Sequence, residues 1–297
     1  MRSPIPSALR RALPGALTLT LALAAPARAA DSASTNRLEA PPCPVIVAGP
    51  GTPVALDCQL NGNADIRSWG EAVNTGGVLR GLTGAEVRFE ALERSATTHS
   101  RWLDTLVWLG GAVPSQVVFE GLLAGNLAID IGRGSISPAG VERGRVTAQL
   151  QLRADAGGTP AVATAAAALA RDSSAGGGRW AEAVLQPVTL SLGWTPAAPG
   201  ATLAFEQSLH TTATATNAWF RQGAGTVEVG ADFRGGSGLV AVRWLDASGA
   251  DLGSAVHWAW THGLTAVPVP EPATPALWLA GALALAAWTR RRLRADS

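Results

Sequence analysis

The chain has 297 residues and a formal net charge of +1, with neither lysine nor tyrosine. Eight of its 23 basic residues lie at the two ends, so residues 30–265 carry 23 − 8 = 15 Arg against 22 − 2 = 20 Asp plus Glu, a net of −5. An acidic body of this kind argues against nucleic acid and anionic membrane surfaces as partners, since both are bound through clustered positive charge.

At the N-terminus, Arg10 and Arg11 precede an apolar run from Ala12 to Ala25, and Ala27-Arg28-Ala29 supplies small residues at a cleavage position. This is the pattern of a secretory signal peptide over residues 1–29, with Ala27 and Ala29 at the cut. The residues flanking the arginine pair do not fit a twin-arginine signal, so general secretion is the expected route.

Export gives the two cysteines their meaning. Cys43 and Cys58 sit in "CPVIVAGPGTPVALDC", and an oxidising compartment favours a disulfide between them. Two short apolar runs around Gly49-Pro50-Gly51 predict a hairpin stapled at its open end. A metal or reactive-thiol pair is the alternative, but no histidine lies near it in sequence.

Residues 30–266 form the secreted body, and period-two alternation recurs along it. "AEVRFEAL" puts Val87 and Phe89 on one face; "RVTAQLQL" puts Val146, Ala148, Leu150 and Leu152 on one face and Thr147, Gln149 and Gln151 on the other. "PVTLSLGW", "ATLAFEQSL", "TVEVGADF" and "AVHWAWT" behave likewise, while "TLVWLGG" and "QVVFEGLL" read as interior strands. Turn signals at Asn61-Gly62, Gly235-Gly236-Ser237-Gly238 and Asp246-Ala247-Ser248-Gly249 separate the strands. The expected fold is all-β, a β-sandwich with the jelly roll among the forms it could take. The Ala/Gly-rich stretch 154–179 is either two helical turns or a small-residue strand, and is where a sub-boundary of the body would fall.

The search for chemistry is largely negative. His99, His210, His257 and His262 are scattered, with neither a zinc-binding His-Glu-x-x-His nor a Gly-x-Ser-x-Gly elbow. No catalytic residue, metal site or cofactor is expected. The tryptophans draw attention: Trp258 and Trp260 share one face of a strand with Val256, either filling the core or offering a stacking platform for sugar rings. Three readings of the body follow: a non-catalytic structural component, a carbohydrate-binding module using Trp faces, and a polysaccharide-active enzyme. The first is preferred.

The last stretch, residues 267–297, is tripartite. Val269-Pro270-Glu271-Pro272 is extended by its prolines, residues 273–289 form an uncharged apolar segment, and Arg290, Arg291, Arg292 and Arg294 close it. A helix from Pro272 to Thr289 spans about 27 Å, just enough for a bilayer core, and the arginines hold its end on the cytoplasmic side. The three parts together resemble the PEP-CTERM sorting signal of Gram-negative bacteria. The resemblance covers only the tail, about Val267 to Arg294. It implies recognition by an exosortase at Val269–Pro272, anchoring in the inner membrane with the body in the periplasm, and delivery to the cell surface or extracellular matrix. An association with exopolysaccharide and biofilm is implied in the same way, and an ordinary tail anchor is the alternative.

Overall fold

A computed structural model describes residues 34–60, 63–88, 92–135, 137–219 and 225–264. Fourteen strands carry the chain among these residues: β1 (Thr35–Glu39), β2 (Ile46–Ala48), β3 (Val54–Leu60), β4 (Asn63–Thr75), β5 (Val78–Arg88), β6 (Leu92–Gly111), β7 (Gln116–Gly132), β8 (Glu142–Asp155), β9 (Ala161–Asp172), β10 (Gly178–Gly193), β11 (Thr202–Asn217), β12 (Thr226–Asp232), β13 (Gly238–Leu245) and β14 (Val256–Trp260). They form two seven-stranded antiparallel sheets. The first has the order β2-β1-β6-β11-β8-β9 and the second β10-β7-β12-β5-β4-β3. β14 adds to β6 beyond the end of β1, and β13 adds to β7 beyond the end of β12.

The long strands β6 and β7 are each flanked along both edges, which is where the two most apolar runs of the sequence belong. In β6 every second residue from Arg94 to Trp108 is buried, and the residues between them form the outer face. The same alternation puts Val146, Ala148, Leu150 and Leu152 of β8 inward, opposite Val117, Phe119, Leu127 and Ile129 of β7. One continuous core between the sheets includes Leu150, Phe119, Phe205, Val229 and Trp244.

That core has a polar centre. The hydroxyls of Thr98 on β6, Thr211 on β11 and Thr83 on β5 hydrogen-bond among themselves, Thr98 to Thr211 at 2.6 Å and Thr83 to Thr98 at 2.9 Å. Gln207, fully buried, donates to the Gly77 carbonyl at 2.6 Å and accepts from the Leu239 N–H at 2.7 Å. These bonds satisfy groups whose burial would otherwise destabilise the sheets.

The alanine-rich stretch is a strand. β9 runs antiparallel to β8 from Ala161 to Asp172, with Ala165, Ala167 and Leu169 facing the core and Ala166, Ala168 and Ala170 facing solvent. β8 offers an unpaired edge along its whole length, so strand pairing satisfies the backbone of this segment where a short isolated helix would gain little. The chain then crosses through a 3-10 turn at Ser173–Ala175 to β10 in the other sheet.

The cysteine segment differs from the expected hairpin. β2 pairs with β1 and β3 pairs with β4, so the two strands of the segment lie in different sheets. Pro50 and Pro53 lack the N–H groups a ladder needs, and Asn74 accepts from Gly51 N–H through both its backbone (2.8 Å) and side-chain (3.2 Å) oxygens, drawing the turn away. The Cys43–Cys58 disulfide is formed, with S–S 2.09 Å, and ties one sheet edge to the other. Around it pack Ala40, Leu56 and Ala96.

The expected signal peptide, the expected membrane segment 273–289 and the Asn61-Gly62 turn lie outside the described residues. Among the described residues no helix is long and apolar enough to cross a membrane.

Candidate functional site

Trp258 and Trp260 turn inward from β14, half-buried against the core. Trp258 packs on Trp244 with ring centroids 5.8 Å apart, and Trp260 on Phe205 at 5.4 Å. Their own rings stand perpendicular, at 89°. Together with Phe119 and Trp194 they make an aromatic end to the core, and this geometry gives no coplanar row on which sugars could stack.

Several carboxylates of the body are engaged. Glu142, fully buried, accepts from the Ser173 hydroxyl and from Gly225 N–H at 3.2 Å. Burial opposes its charge, but the hydrogen bonds from Ser137, Ser173 and Gly225 outweigh that and hold its pKa below the usual carboxylate value. Glu86 lies between Arg67 and Arg88, and Glu206 accepts both nitrogens of the Arg101 fork, at 2.7 and 3.0 Å. Asp246 organises the β13–β14 turn, accepting from Ser248 and Ala250 N–H at 2.8 and 2.9 Å. This is the turn that the Asp246-Ala247-Ser248-Gly249 stretch predicts.

The outer face of the first sheet carries a polar depression. Antiparallel register sets His99 of β6 directly opposite His210 of β11, with Arg37 of β1 on one side and Gln149 of β8 on the other. The next positions bring Glu39, Thr97, Ser208 and Gln151 around them, lining a shallow depression of about 300 Å³. Both histidines are held below their ordinary pKa, first by burial. For His99 the neighbouring His210 and Arg101 add to the effect, while Glu39 opposes it at His210. The sequence hid this pairing, because the two residues lie on strands separated by a long stretch of chain and share no motif. Among the described residues no group of three or more His, Cys, Asp or Glu is arranged to hold a metal.

The exit of the body is fastened. Asp104, on the inner face of β6, accepts from His262 N–H at 2.8 Å and Leu264 N–H at 3.0 Å. Thr261 donates to the Thr105 carbonyl through both its N–H and its hydroxyl. Leu264 is buried against Gly77, where a Cβ would come within 2.8 Å of its Cγ.

The expected sorting residues Val269, Pro270, Glu271 and Pro272, the arginines 290, 291, 292 and 294, and the leader residues Ala27 and Ala29 all lie outside the described residues. No curated protein matches the chain. A family model, the PEP-CTERM protein-sorting motif, matches residues 268–293. The folded body, fastened as far as Leu264, is thus followed by a tail that matches the PEP-CTERM protein-sorting motif.

Proposed function

We propose that this is an exported protein, anchored in the inner membrane of a Gram-negative bacterium by its tail, cut there by an exosortase, and delivered to the cell surface or extracellular matrix. There the body serves as a non-catalytic structural component associated with exopolysaccharide. The observation that carries the reading is the sorting motif at 268–293, which begins four residues after Leu264, the last fastened residue described. The non-catalytic part of the reading is supported by the use of Glu142, Asp104, Glu86 and Glu206 as structural acceptors within the sandwich. Intact-mass analysis of surface material should find the mature chain ending near Pro270 to Pro272, without the membrane segment. Recovery of the Arg290–Arg294 peptide in the dominant surface form would overturn it.

A second reading, a glycan-binding module, draws support from the polar depression on the first sheet, where Gln149, Gln151 and Ser208 supply hydrogen-bonding groups on a flat strand face. It replaces the Trp258/Trp260 platform as the location of such a site. A glycan screen on the processed protein in the presence of chelator, comparing wild type with Gln149→Ala/Gln151→Ala, tests it.

A further inference from the structure

We infer that His99 and His210 form a two-histidine site for a borderline divalent cation such as Cu²⁺ or Zn²⁺ on the outer face of the first sheet. Two imidazoles bound to one ion, with metal–nitrogen bonds of about 2.0 Å and nitrogens roughly 1.1 Å from the ring centre, place their centroids roughly 5.1 to 6.2 Å apart, from tetrahedral to linear geometry. The observed separation is 5.9 Å, with the ring planes at 72°. The two residues face each other in register across paired strands, so the backbone fixes their spacing.

Local charge permits a cation. Arg37 is paired with Glu39, and Glu206 takes up both Arg101 and Arg153, so each cation beside the histidines has a carboxylate partner. The depression is open to solvent, so water would complete the coordination and leave positions free. Imidazole pairs favour copper, nickel and zinc over calcium or magnesium, which take oxygen ligands.

The test uses untagged processed protein, titrated with Cu²⁺ and separately with Zn²⁺ by calorimetry, with paramagnetic resonance on the copper form. One ion per chain is expected, with the nitrogen splitting of two imidazoles. His99→Ala and His210→Ala should each lower affinity tenfold or more, the double variant adding little further, while His257→Ala leaves it unchanged. Saturating metal should raise the unfolding temperature of wild type and of neither variant. Affinity unaltered by either substitution, a spectrum with one imidazole, or wild-type binding no tighter than millimolar overturns the site. Because the glycan screen is run with chelator, its outcome and this one are independent.

Discussion

Asp104 and His262 are joined twice: the carboxylate accepts the His262 backbone N–H at 2.8 Å, and the same oxygen lies 3.2 Å from His262 Nδ1. One buried side chain in the middle of β6 thereby fixes the point at which the body ends and the sorting segment begins. In Asp104→Ala the N–H groups of His262 and Leu264 lose their acceptor, which should cost about 3 kcal/mol. Asp104→Asn keeps one acceptor oxygen and should cost roughly half of that. Urea unfolding of the processed protein measures both, and limited proteolysis should show new cleavage between Thr261 and Leu264 in the alanine variant.

The disulfide joins two sheet edges rather than two strands of a hairpin, so its loss should loosen one end of the sandwich. For a sequence separation of 15 residues the stabilisation is about 3 kcal/mol. A Cys43→Ser/Cys58→Ser variant should unfold at correspondingly lower denaturant, and reducing agent should shift wild type to the same midpoint while leaving the variant where it was.

Acid should weaken the fold in two stages. His99 and His210 have folded pKa values below their ordinary 6.5, so the unfolded chain takes up protons first as pH falls. Their stabilisation is complete above pH 6.5, declines below it, and stops declining once the folded forms protonate too. Glu142, held below its ordinary 4.5, stabilises the fold above that pH and loses its contribution as pH falls through its folded value. Unfolding midpoints from pH 8 to pH 3 with chelator present should show both stages. His99→Gln/His210→Gln should remove the first and spare the second.

Trp258 and Trp260 belong to the aromatic end of the core, so Trp260→Ala should cost about 3 kcal/mol by opening a cavity beside Phe119 and Phe205. Trp260→Phe should recover much of that. Any glycan retention seen with wild type should persist in both variants below their unfolding midpoints, which affinity electrophoresis can check.

The two halves of the tail should separate by mutation. Glu271→Gln leaves the apolar segment and the arginines intact, and the chain should stay in the membrane unprocessed. Neutralising Arg290, Arg291, Arg292 and Arg294 removes the charge that holds the cytoplasmic end, and some chains should slip uncleaved into the periplasm. Fractionation with an epitope in the body distinguishes these outcomes. Wild-type behaviour of both variants would show that the tail is not read as a sorting signal.

What the sequence determined by itself is local or periodic. Alternation at Val146–Leu152 and at Trp258–Trp260 announced strands and which residues share a face, because side-chain direction has period two whatever the strand pairs with, but that the Trp258–Trp260 face turns inward was decided by the packing. The tail was legible for the same reason, its proline segment, apolar run and arginines acting in order along the chain. Tertiary structure decided everything that depends on which strand lies beside which. Pairing sent β2 and β3 to different sheets and turned the alanine run into β9. It also gathered Thr83, Thr98 and Thr211 into the core and set His99 opposite His210. Partners so distant along the chain are chosen by the burial of whole sheet faces, and a period-two pattern fits many registers equally well until that burial selects one.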